Sequence, residues 1–338
     1  MKRLAICMMA ALLLTGCRKD LCYNHDEHAL TVKTDIAATW ELEWERDYGR
    51  AWTENWAAEW EAAYDDFRPK AGEGIAAIIY HADNTSDERH LEAEGGRLPM
   101  EEGIHSILFY NDDTEYIVFD DIASSATATA STRTRTRANF EGLHAEEPTI
   151  SAPDMLFGRY MEDFVAERTL DPVNVPVEMR PLTYTYLLRY EFSHGLNYVA
   201  LARGAVAGMA EKVYLMDGHT GPETATLLFD DGELKSYGVE KRIQSFGVPN
   251  HPGDDYTKVD GEPEPGTYLL NLEVRLTNGK ILTYNFDITD QMQDQPRGGV
   301  ITVSGIEVSD EDGLEGGTGF QPNVEGWGEY EDIEIPMN

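Results

Sequence analysis

Three potential metal ligands lie close together near the start of the chain, at Cys22, His25 and His28. A thiolate and two imidazoles at this Cys-x2-His-x2-His spacing can bind zinc. A closed zinc site needs four ligands, however, and His28 directly precedes a predicted strand. We therefore predict neither a metal site nor any other cofactor, and we interpret the segment as a solvated tether whose cysteine stays reduced or packs locally.

Aromatic residues recur at every fourth position between residues 48 and 64: Tyr48, Trp52, Trp56, Trp60 and Tyr64. We expect these rings to form core that covers one end of the first domain. Exposed faces of Trp52, Trp56 and Trp60 would instead make a platform for binding glycans, and an interfacial membrane helix is a third possibility. The helix would carry several carboxylates and no lysine, which suits a membrane surface poorly.

A short basic segment alternates arginine with threonine at Arg133, Arg135 and Arg137. It is the only concentrated positive feature of a chain with 27 Lys and Arg against 62 Asp and Glu. A solvated edge strand, where charge blocks unwanted pairing, is one interpretation. A cleavage site for a trypsin-like protease and a docking site for an acidic segment such as the C-terminal tail are the others.

Motifs of common enzymes are absent from the sequence. It has no nucleophile elbow, zinc-protease helix, phosphate loop or dinucleotide fingerprint, and no cysteine follows Cys22. Acidic pairs such as Asp112-Asp113 lack the spacing of a known calcium loop. We predict that the protein is not an enzyme.

The composition restricts the possible partners. A chain of 338 residues with 41% hydrophobic content can form two domains with real cores. Its formal net charge of −35 argues against a nucleic-acid partner, because phosphate binding needs clustered Lys and Arg.

Hydrophobic periodicity predicts the elements that must position these residues. Apolar side chains alternate through residues 30–44, which indicates a strand with one buried face. The aromatic repeat, with its alanines, then predicts an amphipathic helix over about 51–65 that ends at Arg68-Pro69. Further β-like runs cover 75–80, 104–110, 116–120, 182–192, 198–202, 213–216, 224–230, 268–276, 281–288 and 300–308, and Asn278-Gly279 marks a hairpin turn. Many short strands at this spacing predict an all-β chain of two tandem antiparallel β-sandwiches.

The last thirty residues, 309–338, contain nine Asp or Glu and neither Lys nor Arg. Their six glycines resemble a linker, but a free acidic tail would not need its large apolar residues. Residues 329–335 therefore predict a terminal strand that pairs with another part of this chain or with a partner, through Tyr330, Ile333 and Ile335.

The N-terminus has the features of a secretory signal: Lys2-Arg3, an apolar run from Leu4 to Leu14, and small residues before Cys17. Eleven apolar residues are too few for a membrane span, which needs about 20. Leu14-Thr15-Gly16-Cys17 resembles a bacterial lipobox. The resemblance implies cleavage between Gly16 and Cys17, lipid on the Cys17 sulfur and amine, and attachment to the outer membrane at the cell surface.

Four further segments resemble fimbrial-anchor-like lipoproteins of Bacteroidota, a family with a branch labelled as a domain of unknown function. They are residues 21–25, 131–134, 204–210 and 319–327, the last reading Gly-Phe-x-x-x-Val-x-x-Trp. The resemblance implies two transthyretin-like sandwiches, fimbrial subunit proteins as partners, and a role as a pilus anchor or assembly component. Strand exchange would be the mode of contact. Retention of residues 30–44 fits an anchor better than a polymerising subunit.

We accordingly divide the chain into five parts. Residues 1–16 form a signal peptide and 17–29 a lipid-anchored tether. An N-terminal sandwich spans 30–169 and includes a Trp-rich insertion at 46–68. A C-terminal sandwich spans 170–308, and residues 309–338 form an acidic tail with the terminal strand.

Overall fold

A computed structural model of the chain describes residues 31–44, 52, 56–57, 60–136, 144, 147–169, 171–251, 267–314 and 331–332. Within these ranges the regular structure is nearly all β. Two short helices, α1 (Thr289–Gln293) and α2 (Asp310–Leu314), and two 3-10 turns, Tyr64–Phe67 and Leu196–Tyr198, accompany the strands.

The strands of the first half are β1 (Thr31–Trp40), β2 (Gly74–Tyr80), β3 (Ser86–Glu92), β4 (Gly95–Glu101), β5 (Gly103–Asn111), β6 (Ile117–Asp120), β7 (Thr129–Thr132), β8 (Arg135–Thr136), β9 (Thr149–Ser151), β10 (Phe157–Ala166) and β11 (Val173–Pro181). Those of the second half are β12 (Tyr184–His194), β13 (Val199–Ala210), β14 (Val213–Tyr214), β15 (Thr224–Phe229), β16 (Glu233–Lys235), β17 (Gly238–Ser245), β18 (Leu269–Leu276), β19 (Ile281–Asp287), β20 (Gly299–Glu307) and β21 (Glu331–Asp332).

Seven strands of the first half close into a barrel in the order β1-β11-β10-β5-β2-β3-β4. Its core is lined by alternating residues such as Val32, Ile36 and Ile75. The prediction of an antiparallel sandwich is therefore wrong for this half. Strand β11 runs parallel to β1 and completes the barrel, with Thr34 opposite Val173 at one end and Trp40 opposite Met179 at the other. The division at residue 170 therefore falls before a strand that belongs to the barrel, and the chain passes to the second unit between Pro181 and Tyr184.

The second unit is formed by two facing sheets, ordered β16-β17-β12-β20 and β19-β18-β13-β15-β9. Tyr184, Tyr186 and Tyr190 point from β12 into a core shared with β18 residues such as Leu270 and Leu272. Two pairs, β12 with β20 and β15 with β9, are parallel, so this sandwich is mixed rather than purely antiparallel.

A third apolar cluster joins the two units. The outer face of barrel strands β2 and β5, with Ile78 and Leu108, packs against Leu182, Val213 and Phe246. Strand β7 from the first half also pairs with β14 from the second. The first and second halves of the sequence are therefore interleaved in the fold.

The predicted strands over 75–80, 104–110 and 116–120 are confirmed as β2, β5 and β6. The hairpin is confirmed as β18 and β19, with Gly279 in the left-handed region at φ 89°. In the left-handed region a residue without Cβ meets little steric cost.

The single helix predicted over 51–65 is wrong in its described second half. Residues 56–57 and 60–63 are not helical, and Tyr64–Phe67 forms a 3-10 turn. The Trp56 Nε1–H group donates to the Ala62 carbonyl at 2.8 Å, a contact between residues six apart that requires the chain to fold back. Packing of the rings on one another overrides the local helix preference.

Candidate functional site

The candidate site lies at the β9 edge of the five-stranded sheet. Beside β9, the Ser151 amide donates to the Arg133 carbonyl at 3.0 Å, and Thr134 forms an isolated antiparallel bridge with Ile150. The basic segment thus extends the sheet by one short strand, which continues as β8.

The C-terminal tail forms the next strand outward. Glu331 pairs with Thr136 and Asp332 with Arg135, in antiparallel orientation. The terminal strand therefore pairs within its own chain, and it pairs with the basic segment, as one of the three interpretations of the arginines anticipated.

Arg133 and Arg135 at this edge have partners elsewhere in the chain. Arg135 Nη1 lies 3.3 Å from Asp230 Oδ2, with both side chains partly buried. Arg133 Nη2 donates to the Glu115 carbonyl at 3.1 Å, and its guanidinium lies 5.3 Å from the Tyr116 ring centroid. The described pairing of β21 with β8 is a backbone ladder of two residue pairs.

The root of the tail, defined here as α2 (Asp310–Leu314), has polar contacts of its own. Asp310 Oδ1 accepts from the Tyr198 hydroxyl at 2.9 Å and lies 3.0 Å from His194 Nε2. These contacts, that with His194 first, lower the pKa of Asp310. Asp312 contacts the Lys280 ammonium and accepts from Ser309 at 2.7 Å, and these bonds lower the pKa of the Asp312 carboxyl.

Several predicted site residues lie outside the described ranges. They are the lipidation and cleavage residues Gly16 and Cys17, the exchange residues Tyr330, Ile333 and Ile335, the metal candidates Cys22, His25 and His28, and Arg137. Among the described residues, no cluster of three or more His, Cys, Asp or Glu could hold a metal ion. In the same part of the chain, no helix is long and apolar enough to cross a bilayer.

The described rings of the Trp-rich segment pack as core. We call Trp44, Trp52, Trp56, Trp60, Tyr64 and Phe67 the aromatic insertion. It covers the outer face of the four-stranded sheet against Leu187 and Val300. Trp52 is only 4% exposed, and the ring centroids of Trp56 and Trp60 meet edge to face at 4.6 Å. A glycan platform needs free ring faces; Trp52 is too buried to offer one, whereas Trp56 and Trp60 are partly buried.

A buried arginine links the aromatic insertion to the sheet. Arg189 is 2% exposed and lies between the Trp60 ring, at 4.9 Å from its centroid, and the Tyr237 ring, at 4.1 Å. Its Nη1 atom is 3.7 Å from Glu240 Oε2. The sequence pattern around residue 189 reads only as a strand, so this contact escaped prediction.

The strongly perturbed titratable groups are buried tyrosines rather than an acid–base pair. Burial raises the pKa of Tyr186, Tyr190 and Tyr237, and that of Tyr268 to about 12. These residues belong to separate parts of the packed core, and a tyrosine that stays protonated there is structural.

Fold and site together define an all-β protein of two interleaved units whose sheet edge is extended by its own C-terminal strand. The chain belongs to the family described as "Domain of unknown function (DUF5119)", which matches residues 59–230.

Two known proteins resemble most of the chain. A Bacteroides ovatus protein called "Putative fimbrium anchoring subunit Fim4B" is 21% identical over 358 residues, covering 98% of this chain and 97% of the relative. The crystal structure of a protein from the same species, titled "a putative adhesin", superposes with a TM-score of 0.58 at 18% identity. It covers 85% of this chain and 95% of its own, and this likeness supports the shared fold.

Proposed function

We propose that the protein is a non-enzymatic, fimbrium-associated lipoprotein of the bacterial outer membrane. It anchors a fimbrium or assists its assembly, and it binds a fimbrial subunit by exchanging the C-terminal strand. The name of the Bacteroides ovatus relative and the adhesin fold support this proposal. The observation that carries it is the two-residue pairing of the tail with the sheet edge.

The described pairing of the tail contributes little free energy, which favours exchange. A backbone hydrogen bond contributes a net ~0.5–1.5 kcal/mol, so the two described residue pairs contribute only a few kcal/mol to the attachment of the tail. A sheet edge released from β21 exposes unpaired N–H and C=O groups that another strand can complete. Pairing within the chain would then be the resting state, which protects the edge until a subunit arrives.

We assign the transthyretin-like sandwich to the second unit only, because this unit has two facing sheets whereas the first is a closed barrel. In this proposal the unit presents the exchange edge, while the lipid on Cys17 holds the opposite end of the chain at the membrane. Two acyl signals would be needed for stable attachment, because one chain binds membranes only marginally.

Strand exchange can be tested by crosslinking and pull-down from intact source cells, with the full chain compared with a chain that ends at Thr318. We expect the full chain to recover a fimbrial subunit and the shortened chain to lose it. Unfolding of the shortened chain would contradict exchange, because the tail would then be an integral part of the core.

A double substitution sharpens this test. Ile333→Ser with Ile335→Ser should weaken subunit recovery, whereas Ile281→Ser on the opposite edge of the same sheet is the control. Ile281 is 41% exposed on β19, so its substitution changes the far edge without opening the core. If Ile281→Ser alone reduced recovery, the partner would bind the β19 edge and the assignment to the tail would be wrong.

The lipid anchor has a separate test. Cys17→Ala should move the protein from the membrane fraction to the soluble fraction and abolish incorporation of radiolabelled palmitate. External protease should digest the wild-type protein on intact cells. Retention of Cys17→Ala in membranes would contradict the anchor and leave the exchange proposal standing.

A further inference from the structure

A cleft of about 290 Å³ opens where the barrel, the second unit and the segment after the aromatic insertion meet. One wall is the chain from Phe67 to Gly72. The other walls come from the barrel, with Asp113 and Met155, and from the four-stranded sheet, with Thr185, Arg242 and Gln244. This volume lies at the lower limit of ligand pockets, so a small molecule fits it.

The charge of the lining is opposite to that of the chain. Arg68, Lys70 and Arg242 face a single carboxylate, Asp113, in a protein with a net charge of −35. Arg68 is already neutralised, because its Nε lies 2.7 Å from Asp65 and its Nη1 3.0 Å from Glu43. Lys70 and Arg242 form no ion pair with any residue in the described ranges, and both are exposed.

Arg242 is held in place without being neutralised. Its Nη1 donates to the Asp66 carbonyl at 2.8 Å, and its guanidinium lies 4.0 Å from the Phe67 ring centroid. These two contacts fix the guanidinium at the wall of the cleft and leave donors for an anion, since a guanidinium carries five N–H groups.

Neutral donors line the floor of the cleft. Thr185 is 3% exposed, and its hydroxyl has no hydrogen-bond partner among the described residues. Within the same ranges no partner is found for the Gln244 amide. The amide group of Asn111, in contrast, already donates two hydrogen bonds within the protein: Nδ2 donates to Asp113 Oδ1 at 2.7 Å and to the Met155 carbonyl at 3.0 Å.

The cleft is preformed rather than loosely bounded. A Cβ atom at Gly72 would lie 2.7 Å from Asn111 Cβ and 2.8 Å from Trp40, so the segment from Phe67 to Gly72 packs directly against the barrel. Phe67 is 2% exposed and Phe157 fully buried, which gives the cleft a fixed apolar backing.

We propose that this cleft binds a small organic acid that carries hydroxyl groups. Arg242 and Lys70 would take the carboxylate, since charge-assisted bonds to guanidinium and ammonium groups are the strong ones. Gln244 and Thr185 would bind the hydroxyl groups, and the apolar backing would pack against the carbon skeleton. This site is independent of the C-terminal strand and of any fimbrial partner.

Saturation-transfer NMR on the full mature chain tests the proposal, with D-glucuronate and D-glucose as the observed ligands and inorganic phosphate, which has no C–H protons, as a competitor against glucuronate. We expect saturable binding of glucuronate with a Kd on the order of 1 mM. Glucose, which lacks the carboxylate, and phosphate, which lacks the hydroxylated skeleton, should each bind at least about tenfold more weakly. Failure of glucuronate to bind, or equal binding of glucose or phosphate, would overturn the assignment.

Two variants locate the binding. The double variant Lys70→Gln with Arg242→Gln should weaken glucuronate binding at least about tenfold. The control variant Lys33→Gln with Arg89→Gln removes two charges outside the cleft and should leave glucuronate binding unchanged. Gln244→Glu, which is isosteric and half-exposed, should abolish binding by repulsion if the double variant does not fold. Equal losses in the cleft and control variants, or full binding by Gln244→Glu, would place the ligand elsewhere.

Discussion

The aromatic insertion and the C-terminal tail both cover part of the second unit, but they are attached in different ways. The insertion buries large rings against Leu187 and Val300, and Trp44 and Phe67 are each 2% exposed. The tail, in its described parts, is attached by a two-pair ladder and by exposed polar contacts at its root. Burial of this extent attaches the insertion firmly, whereas the described contacts of the tail are few and exposed, as the exchange that we propose requires.

The largest effect is expected from the centre of the insertion. The Trp44 ring centroid lies 5.5 Å from that of Tyr64 and 5.3 Å from that of Phe67. Trp44→Ala should lower the free energy of unfolding by about 3–5 kcal/mol, through lost burial and the cavity left behind. Denaturant unfolding of the mature chain measures this loss.

Leu42→Ala supplies the matched control for Trp44→Ala. Leu42 lies two residues earlier and is 37% exposed, so its truncation should change stability by no more than about 0.5 kcal/mol. Similar losses for the two variants would mean that the insertion is a loosely attached cover like the tail.

Substitution of one arginine in each region compares how much the two attachments contribute to stability. Arg189→Gln should cost about 3 kcal/mol, because Glu240, 7% exposed, would be left as a buried charge without this partner. Arg135→Gln, beside the tail, should cost about 1 kcal/mol or less, since the Arg135–Asp230 pair is partly solvated. Thermal unfolding of both variants gives the difference, and a larger loss for Arg135→Gln would reverse the comparison.

Removal of the tail should have a modest effect on stability. From the described ladder we expect a chain that ends at Thr318 to lose no more than about 2 kcal/mol. Hydrogen exchange of the amides at 133–136 should increase, because these residues would lose their outer neighbour. Protection that stays unchanged at these amides would show that the ladder is not populated in solution.

How far the sequence predicted this fold depends on whether the signal was local. Alternation and an Asn-Gly turn predicted the β18–β19 hairpin, because both strands and their turn are adjacent in the chain. Closure of the barrel was missed, since the pairing of β11 with β1 joins residues more than 130 positions apart. The three prolines at 172, 176 and 181 suggested a boundary, although Val175, Val177 and Met179 alternate inward.

The candidate site was only partly predictable for the same reason. The acidic tail and the basic segment suggested a docking pair by charge, and the backbone pairing agrees with one interpretation. Arg135 also pairs with Asp230, 95 residues away, and no local pattern marks this contact. The aromatic repeat suggested a helix because its spacing is helical, whereas contacts among the rings set the observed chain path.

The smallest predicted effect is a pH-dependent loosening of the tail root that leaves the insertion intact. The pKa values of Asp310 and Asp312 are lowered by their hydrogen bonds, with His194 and Lys280 respectively as the main causes. A carboxyl whose folded-state pKa is depressed contributes stability that is present above its unfolded pKa of about 3.9 and lost as the pH falls through the folded value. Hydrogen exchange of α2, corrected for the intrinsic rate at each pH, should therefore lose protection below about pH 4.

The insertion provides the contrast in that experiment, because its rings carry no group that titrates in this range. In a chain with Trp327→Phe, which removes the tryptophan of the tail, Trp fluorescence should stay constant while α2 opens, and Asp310→Asn with Asp312→Asn should remove the pH dependence of α2 protection. A simultaneous change in Trp fluorescence and α2 protection would mean that the two attachments are coupled. Independent responses would show that the chain can release the root of its tail while the two units stay joined, which is what strand exchange at the β9 edge requires.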